Sequence, residues 1–214
     1  MIDFPLQVFL GMYDKAVEKA VCETEMPKGV QTKFFSFAEN KNDIPENVTA
    51  VFITDKISLL RSASALHKKN LRIVYCGTTS DAGRYLNKLE ALWPAGESAN
   101  IVKKRFLILV KNLKNEFDAG FYQNTLHSLI ENMPFPTAVF SPDWEVVKMN
   151  QTFEEISKNF DYQTWKEQNL TPADTQKFQL EVNGALKYYT FKEQEIHDCL
   201  DNISGYFLMM QEII

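Results

Sequence analysis

Glycine is scarce in this chain, with 8 among 214 residues. Arginine is scarcer: Arg61, Arg72, Arg84 and Arg105 are the four among 23 basic side chains. Few glycines leave little backbone for cradling phosphates. The nearest approach is Gly77 and Gly83, with five residues between them where a P-loop has four, followed by Arg84 and Tyr85 instead of Lys and Ser/Thr. No dinucleotide-binding fingerprint occurs. These absences argue against an NTPase or a Rossmann oxidoreductase, and no cofactor is expected. Few arginines leave little means of bidentate base or phosphate recognition, so no nucleic-acid partner is expected.

Cysteine is also sparse. Cys22, Cys76 and Cys199 are odd in number and far apart, which predicts reduced thiols in a cytoplasmic protein. His67, His127 and His197 form no His-x-x-x-His pair, and Cys-x-x-Cys is absent. His197-Asp198-Cys199 lacks a second half, so no metal site is expected. No apolar run approaches 18 residues. The strongest, Phe106 to Val110, has five, which excludes a transmembrane helix and a membrane partner. Asp3 and the lack of a basic leader argue against a secretory signal.

What is present is an ordinary globular composition, 45% apolar and 24% charged, with phenylalanine high at 16. The net charge of −5 is unevenly spread: residues 1–118 carry +3 and residues 119–214 carry −8. This split predicts two modules.

The first module alternates strand and helix. Leu6 to Leu10, Val30 to Phe37, Thr49 to Thr54, Leu71 to Tyr75 and Ala91 to Trp93 read as strands. Tyr13 to Glu25, Ile57 to Lys69 and Ser80 to Leu89 read as helices, with Asp14 placed as a cap or a first-turn acid and Ser80 as an N-cap. Ala38 to Asn47 is loop-like. The alternation implies a parallel sheet with helices on both faces, a doubly wound fold of flavodoxin-like type. Function in such folds gathers at the carboxyl ends of the strands.

From Glu97 to Met133 no strong breaker intervenes, and Val102, Phe106, Leu109, Leu113, Phe117, Phe121, Leu126, Ile130 and Met133 recur at helical spacing. This predicts one long helix, or two with a bend near Asp118-Ala119-Gly120. Phe106 to Val110 is apolar all round and is expected to be buried between neighbours. One face is expected to pack on the first module, and a second face to pair with the same helix of another protomer. Lys103, Lys104, Arg105, Lys111 and Lys114 read as a solvated basic face.

After Pro134 the pattern becomes antiparallel. Thr137 to Phe140 and Glu145 to Met149 read as strands around the turn Ser141-Pro142-Asp143-Trp144, and Asn150 caps a helix through Ile156. Phe178 to Val182 and Ala185 to Phe191 flank Asn183-Gly184, a strong hairpin signal. Gly205 to Ile213 reads as a last strand, with Tyr206, Leu208 and Met210 on one side and Phe207 and Met209 on the other.

Two resemblances follow. The order of elements over residues 5–118 resembles the receiver domain of two-component signalling. That family's phosphoryl chemistry implies an acidic pair after strand 1, an Asp after strand 3, a Ser/Thr after strand 4, and a Lys before a Pro after strand 5, with the acids holding Mg²⁺. Asp55 stands at the strand 3 position, and Thr78 or Thr79 follows strand 4. Gly11-Met12-Tyr13 lacks the acidic pair, and Trp93-Pro94 lacks the lysine. The resemblance therefore implies a degenerate receiver, with Asp55 and Thr78 as degenerate phosphoacceptor positions. Hairpin, capped helix and three antiparallel strands over residues 122–214 resemble a PAS domain. Leu129 to Phe140, Asn150-Gln151-Thr152-Phe153 and Gly205 to Ile213 carry the likeness. It implies a ligand pocket drawn from Phe140, Met149, Phe153, Tyr188, Phe191 and Met209. The segment Lys158 to Lys177 is short for ligand-covering helices, which implies a small pocket. No Asn-Cys-Arg flavin motif occurs, and neither His127 nor His197 falls where haem-binding relatives place a ligand.

The expected fold class is α/β plus α+β: a flavodoxin-like (receiver-like) doubly wound parallel sheet over 1–96, a linker helix over 97–133 and a PAS-like antiparallel domain over 134–214. The expected function is that of a non-catalytic sensory or regulatory module of bacterial-type signal transduction. It is expected to act as a homodimer through the linker helix, and through PAS-mediated binding of a ligand, an output domain or a partner protein. Two alternatives stand beside it: a functional phosphoacceptor using Asp55, and the sensory fragment of a diguanylate cyclase or histidine kinase. No Gly-Gly-Asp-Glu-Phe or kinase segment occurs in the sequence.

Overall fold

The computed structural model describes residues 3–37, 44–158, 177–182, 185–198 and 200–213. The chain divides into two compact units, 1–119 and 120–214.

The first unit contains β1 (Phe4–Gly11), α1 (Lys15–Cys22), β2 (Val30–Ser36), β3 (Thr49–Thr54), α2 (Ile57–Ser64), β4 (Leu71–Cys76), the single turn α3 (Thr79–Ala82), a 3-10 stretch (Gly83–Lys88) and β5 (Ala91–Trp93). All strands are parallel, in the order β2-β1-β3-β4-β5. The strand order reverses beside β1, as in a doubly wound fold. β3 is apolar from Ala50 to Ile53 because both its faces are covered. Val51 and Ile53 join Val8, Val17, Val21 and Phe106 on one side. Ala50 and Phe52 join Phe9, Leu60, Ala63 and Ile73 on the other.

Two helices differ from their predicted spans. α2 stops at Ser64, and His67 shortly afterwards takes φ +50°, a left-handed conformation that cannot continue a helix. The predicted helix from Ser80 begins instead after Thr78, whose hydroxyl caps it. Gly83 at φ +34° then turns the chain into the 3-10 stretch. Part of the predicted loop, residues 38–43, lies outside the described residues.

The long helix α4 (Ala99–Glu131) is continuous through Asp118-Ala119-Gly120, and the boundary between the units falls within it. Val102, Phe106, Leu109, Val110 and Leu113 are buried in the first unit's core. The expectation of burial all round Phe106 to Val110 fails at Ile108, which is 59% exposed. The helix packs one face on the sheet, and Ile108 lies on the opposite one.

The second unit contains β6 (Thr137–Phe140), β7 (Val146–Met149), α5 (Gln151–Ser157), β8 (Lys177–Val182), β9 (Ala185–His197) and β10 (Ile203–Ile213). The sheet is antiparallel, in the order β7-β6-β10-β9-β8. Hairpin, capped helix and three antiparallel strands make this a PAS-like arrangement. β9 runs six residues past its predicted end at Phe191, to His197, because it pairs with β10 along nearly its whole length. The residues Asn183 and Gly184, the segment 159–176 and Cys199 lie outside the described residues. No helix among the described residues is long and apolar enough to cross a membrane.

Candidate functional site

The first candidate lies at the carboxyl ends of β1, β3 and β4. β3 delivers Asp55 to its end, and the β1–α1 connection crosses directly over it. The backbone N–H of Tyr13 donates to Asp55 Oδ1 at 2.8 Å and to Oδ2 at 2.9 Å. The N–H of Asp14 donates to Oδ2 at 2.8 Å. The buried Thr54 hydroxyl reinforces this closure, donating to the Gly11 carbonyl at 2.7 Å and accepting the Lys56 N–H at 3.0 Å. The Lys56 ammonium sits 4.0 Å from the centre of the Tyr13 ring. Asp55 therefore serves as an acceptor for the loop in front of it.

Asp14 is occupied locally. Its Oδ1 accepts the N–H groups of Ala16 and Val17 at 2.9 and 3.3 Å, capping α1. Thr78 is likewise engaged in its own turn: its hydroxyl donates to Asp81 Oδ2 at 2.6 Å and accepts the Asp81 N–H at 3.2 Å. Trp93, which stands at the end of β5 before Pro94, is buried in the core and paired in register with Cys76. Burial, then the charges of Asp55, Glu97 and Asp14, push the Cys76 thiol up to about 12. A cavity of about 50 Å³ bounded by Met12, Asp14, Asp55, Cys76 and Trp93 has room for one or two waters.

These residues do not fit Mg²⁺. A hard divalent cation needs several free oxygen ligands. Both Asp55 oxygens already accept backbone N–H groups, and Asp14 caps a helix. Among the described residues no cluster of three or more His, Cys, Asp or Glu side chains can hold a metal ion.

The second candidate is the interior of the PAS-like unit. Phe140, Phe153 and Phe191 lie in its core cluster with Ala138, Ile156 and Leu208, and Met149 packs against it. The Phe140 ring lies 6.2 Å from Phe153 and 5.4 Å from Trp144, and Trp144 stacks on Tyr206 at 4.2 Å. Trp144 adopts φ +62° in the turn, a conformation uncommon for a side chain of its size. Tyr188 and Met209 do not join these residues. They alternate with Tyr189 and Leu208, whose side chains face the core, and so point from the opposite side of the sheet; Tyr188 is half exposed. Strand alternation was the signal that separates them from the other four.

Asn150 ties the unit together and was legible only as a helix cap. It is 1% exposed. Its Oδ1 accepts the N–H of Phe153 and of Thr137, each at 3.0 Å, and its Nδ2 donates to the Phe135 carbonyl at 2.8 Å.

No protein-family model and no curated protein matches the chain. Among solved structures the chain is similar to the PAS domain of BvgS from Bordetella pertussis, at 12% identity over 43% of this chain and 85% of that one, with a TM-score of 0.32. It is similar to the PAS domain of an HTR-like protein from Haloarcula marismortui, at 19% identity over 47% of this chain and 98% of that one, with a TM-score of 0.32. It is also similar to the DhaR(N)–DhaL complex of E. coli, at 8% identity over 54% of this chain and 44% of that one, with a TM-score of 0.40.

Proposed function

We propose that this chain is a non-catalytic sensory or regulatory module of bacterial-type signal transduction. In this reading it dimerises through α4 and binds a ligand or a protein through its PAS-like unit, in the cytoplasm. The observation that carries the proposal is the closure over Asp55. A nucleophilic carboxylate needs an oxygen free to attack and a cation to neutralise the incoming phosphoryl group. Both Asp55 oxygens instead hold the N–H groups of Tyr13 and Asp14, and the sequence supplies neither an acidic pair after β1 nor a lysine after β5 to bring a cation beside them. The buried indole of Trp93 supports the same reading, since it offers no charge to an acyl phosphate. For the PAS-like unit, Phe140, Met149, Phe153 and Phe191 are the proposed pocket residues.

The test is incubation with radiolabelled acetyl phosphate or phosphoramidate, with and without Mg²⁺. The proposal expects no stable label. Mg²⁺-dependent label that disappears in Asp55→Asn overturns it in favour of a functional phosphoacceptor.

A further inference from the structure

A cleft of about 400 Å³ runs along α1 and over the carboxyl ends of β1 and β2. Its base is Leu10, Gly11 and Met12, where β1 ends. Lys15, Glu18 and Cys22, at i, i+3 and i+7 on one side of α1, form one wall. Phe34 and Phe35 of β2 form the other, and Lys56 and Leu59 close the end towards α2. β2 is the edge of its sheet, which leaves the cleft open to solvent on that side. Apolar packing is incomplete here: Leu10, Phe35 and Leu59 are half-buried and Phe34 is exposed. Small-molecule sites have volumes of about 300–1,000 Å³, and in open α/β sheets they lie outside the carboxyl ends of the strands. Asp55, held by Tyr13 and Asp14, does not line this cleft.

The charges lining the cleft do not cancel. Lys15 and Glu18 neutralise each other across 2.7 Å. Lys56 is half-buried, and its ammonium lies 4.0 Å from the centre of the Tyr13 ring and forms no ion pair among the described residues. The carboxylates closest in sequence are engaged elsewhere: Asp55 holds the N–H groups of Tyr13 and Asp14, and Asp14 caps α1. Lys56 is therefore the uncompensated charge of an otherwise apolar cleft. We infer that this cleft binds a small organic monoanion with an aromatic body, its anionic group on the Lys56 ammonium and its ring against Leu10, Phe34 and Phe35. The ring gains by covering apolar surface now left to water, and the anion by pairing with a cation that is partly withdrawn from it. The same features reject other classes. A cationic ligand meets Lys56, and a polyphosphate needs several cations or a glycine-rich backbone cradle, neither of which lines the cleft. The site lies within the first unit, so it stands or falls separately from the proposed PAS-like pocket.

The experiment uses the full chain with Cys199 changed to serine. Cys22 lines the cleft and is exposed, whereas Cys76 is buried, so the rate at which neutral iodoacetamide alkylates Cys22 reports whether the cleft is filled. The probes are 8-anilinonaphthalene-1-sulfonate and the same ring system without its sulfonate, N-phenyl-1-naphthylamine. The sulfonate slows alkylation of Cys22 saturably, and the uncharged probe protects it more weakly. In Lys56→Gln the half-saturating concentration of the sulfonate rises about tenfold, while that of the uncharged probe is unchanged. In Glu18→Gln, which frees the Lys15 ammonium, the sulfonate binds about threefold more tightly. Cys22 alkylated at one rate with and without the sulfonate overturns the site. Equal protection by the two probes, or a half-saturation unmoved in Lys56→Gln, overturns the anion as its ligand. If Lys56→Gln does not fold, absence of tightening in Glu18→Gln overturns it instead.

Discussion

The backbone N–H of Tyr13 reaches both carboxylate oxygens of Asp55, at 2.8 and 2.9 Å. The residues are 42 positions apart, and the contact joins the end of β1 to the end of β3. A charged acceptor makes a stronger hydrogen bond than a neutral one, so the carboxylate is well chosen for holding a loop. The same position that a phosphoacceptor would occupy thus closes the connection into α1.

Asn150→Ala is expected to destabilise the second unit by about 2–4 kcal/mol, combining a lost cap with buried groups left unpaired. Asn150→Asp tells a buried junction from an ordinary cap. Aspartate caps exposed helices as well as asparagine does, but here it loses the donor to the Phe135 carbonyl. Chemical denaturation should therefore find both variants weakened.

Two glycines are expected to respond oppositely to alanine. At Gly205 an added Cβ meets the Phe140 carbonyl oxygen at 2.4 Å, which forces β6 and β10 apart. A loss of about 1–3 kcal/mol is expected for Gly205→Ala. At Gly120, inside α4, nothing lies within 4 Å. A gain of about 0.5–1 kcal/mol is expected for Gly120→Ala. Thermal unfolding of the two variants checks both signs.

The pair Lys148–Glu131 sets an acid dependence. The 2.6 Å hydrogen bond from the Lys148 ammonium, together with the charges of Lys148 and His127, holds the Glu131 carboxyl below its ordinary 4.5. A folded value below the unfolded one stabilises above the unfolded value and ceases to do so as pH falls through the folded one. Unfolding midpoints of the wild type and Glu131→Gln, followed from about pH 6 to about pH 3, are expected to converge at the acid end. A constant difference across that range contradicts the pair.

Thiol reactivity reports the interior of the first unit. Cys76 is buried, with its thiol pushed up to about 12, while Cys22 is exposed. In a Cys199→Ser background near pH 8, a disulfide reagent is expected to label Cys22 in the folded protein and Cys76 only on unfolding. Labelling of both at one rate would show that the end of β4 opens readily.

How much of this was readable in advance depended on the interaction involved. The β3 run Thr49 to Thr54 and the cap Asn150 were legible because burial on two faces and helix capping act locally. α2 and the stretch after Thr78 were misjudged because the apolar spacing continues beyond them, while His67 and Gly83 take left-handed backbone conformations that no periodicity signals. The identity of Asp55 as a strand-end acid was plain. Its partners were not, since a backbone donor 42 residues away leaves no mark on composition. Ile108 was missed for a related reason: an apolar run does not reveal that a helix packs one face only.

The most direct measurement is the stability of Asp55→Ala. If Asp55 holds the β1–α1 connection, its removal leaves the N–H groups of Tyr13 and Asp14 without their acceptor, and equilibrium denaturation should show a loss of about 1–3 kcal/mol. A carboxylate kept free for phosphoryl chemistry contributes nothing of this kind. An Asp55→Ala protein as stable as the wild type, or more stable, contradicts the account.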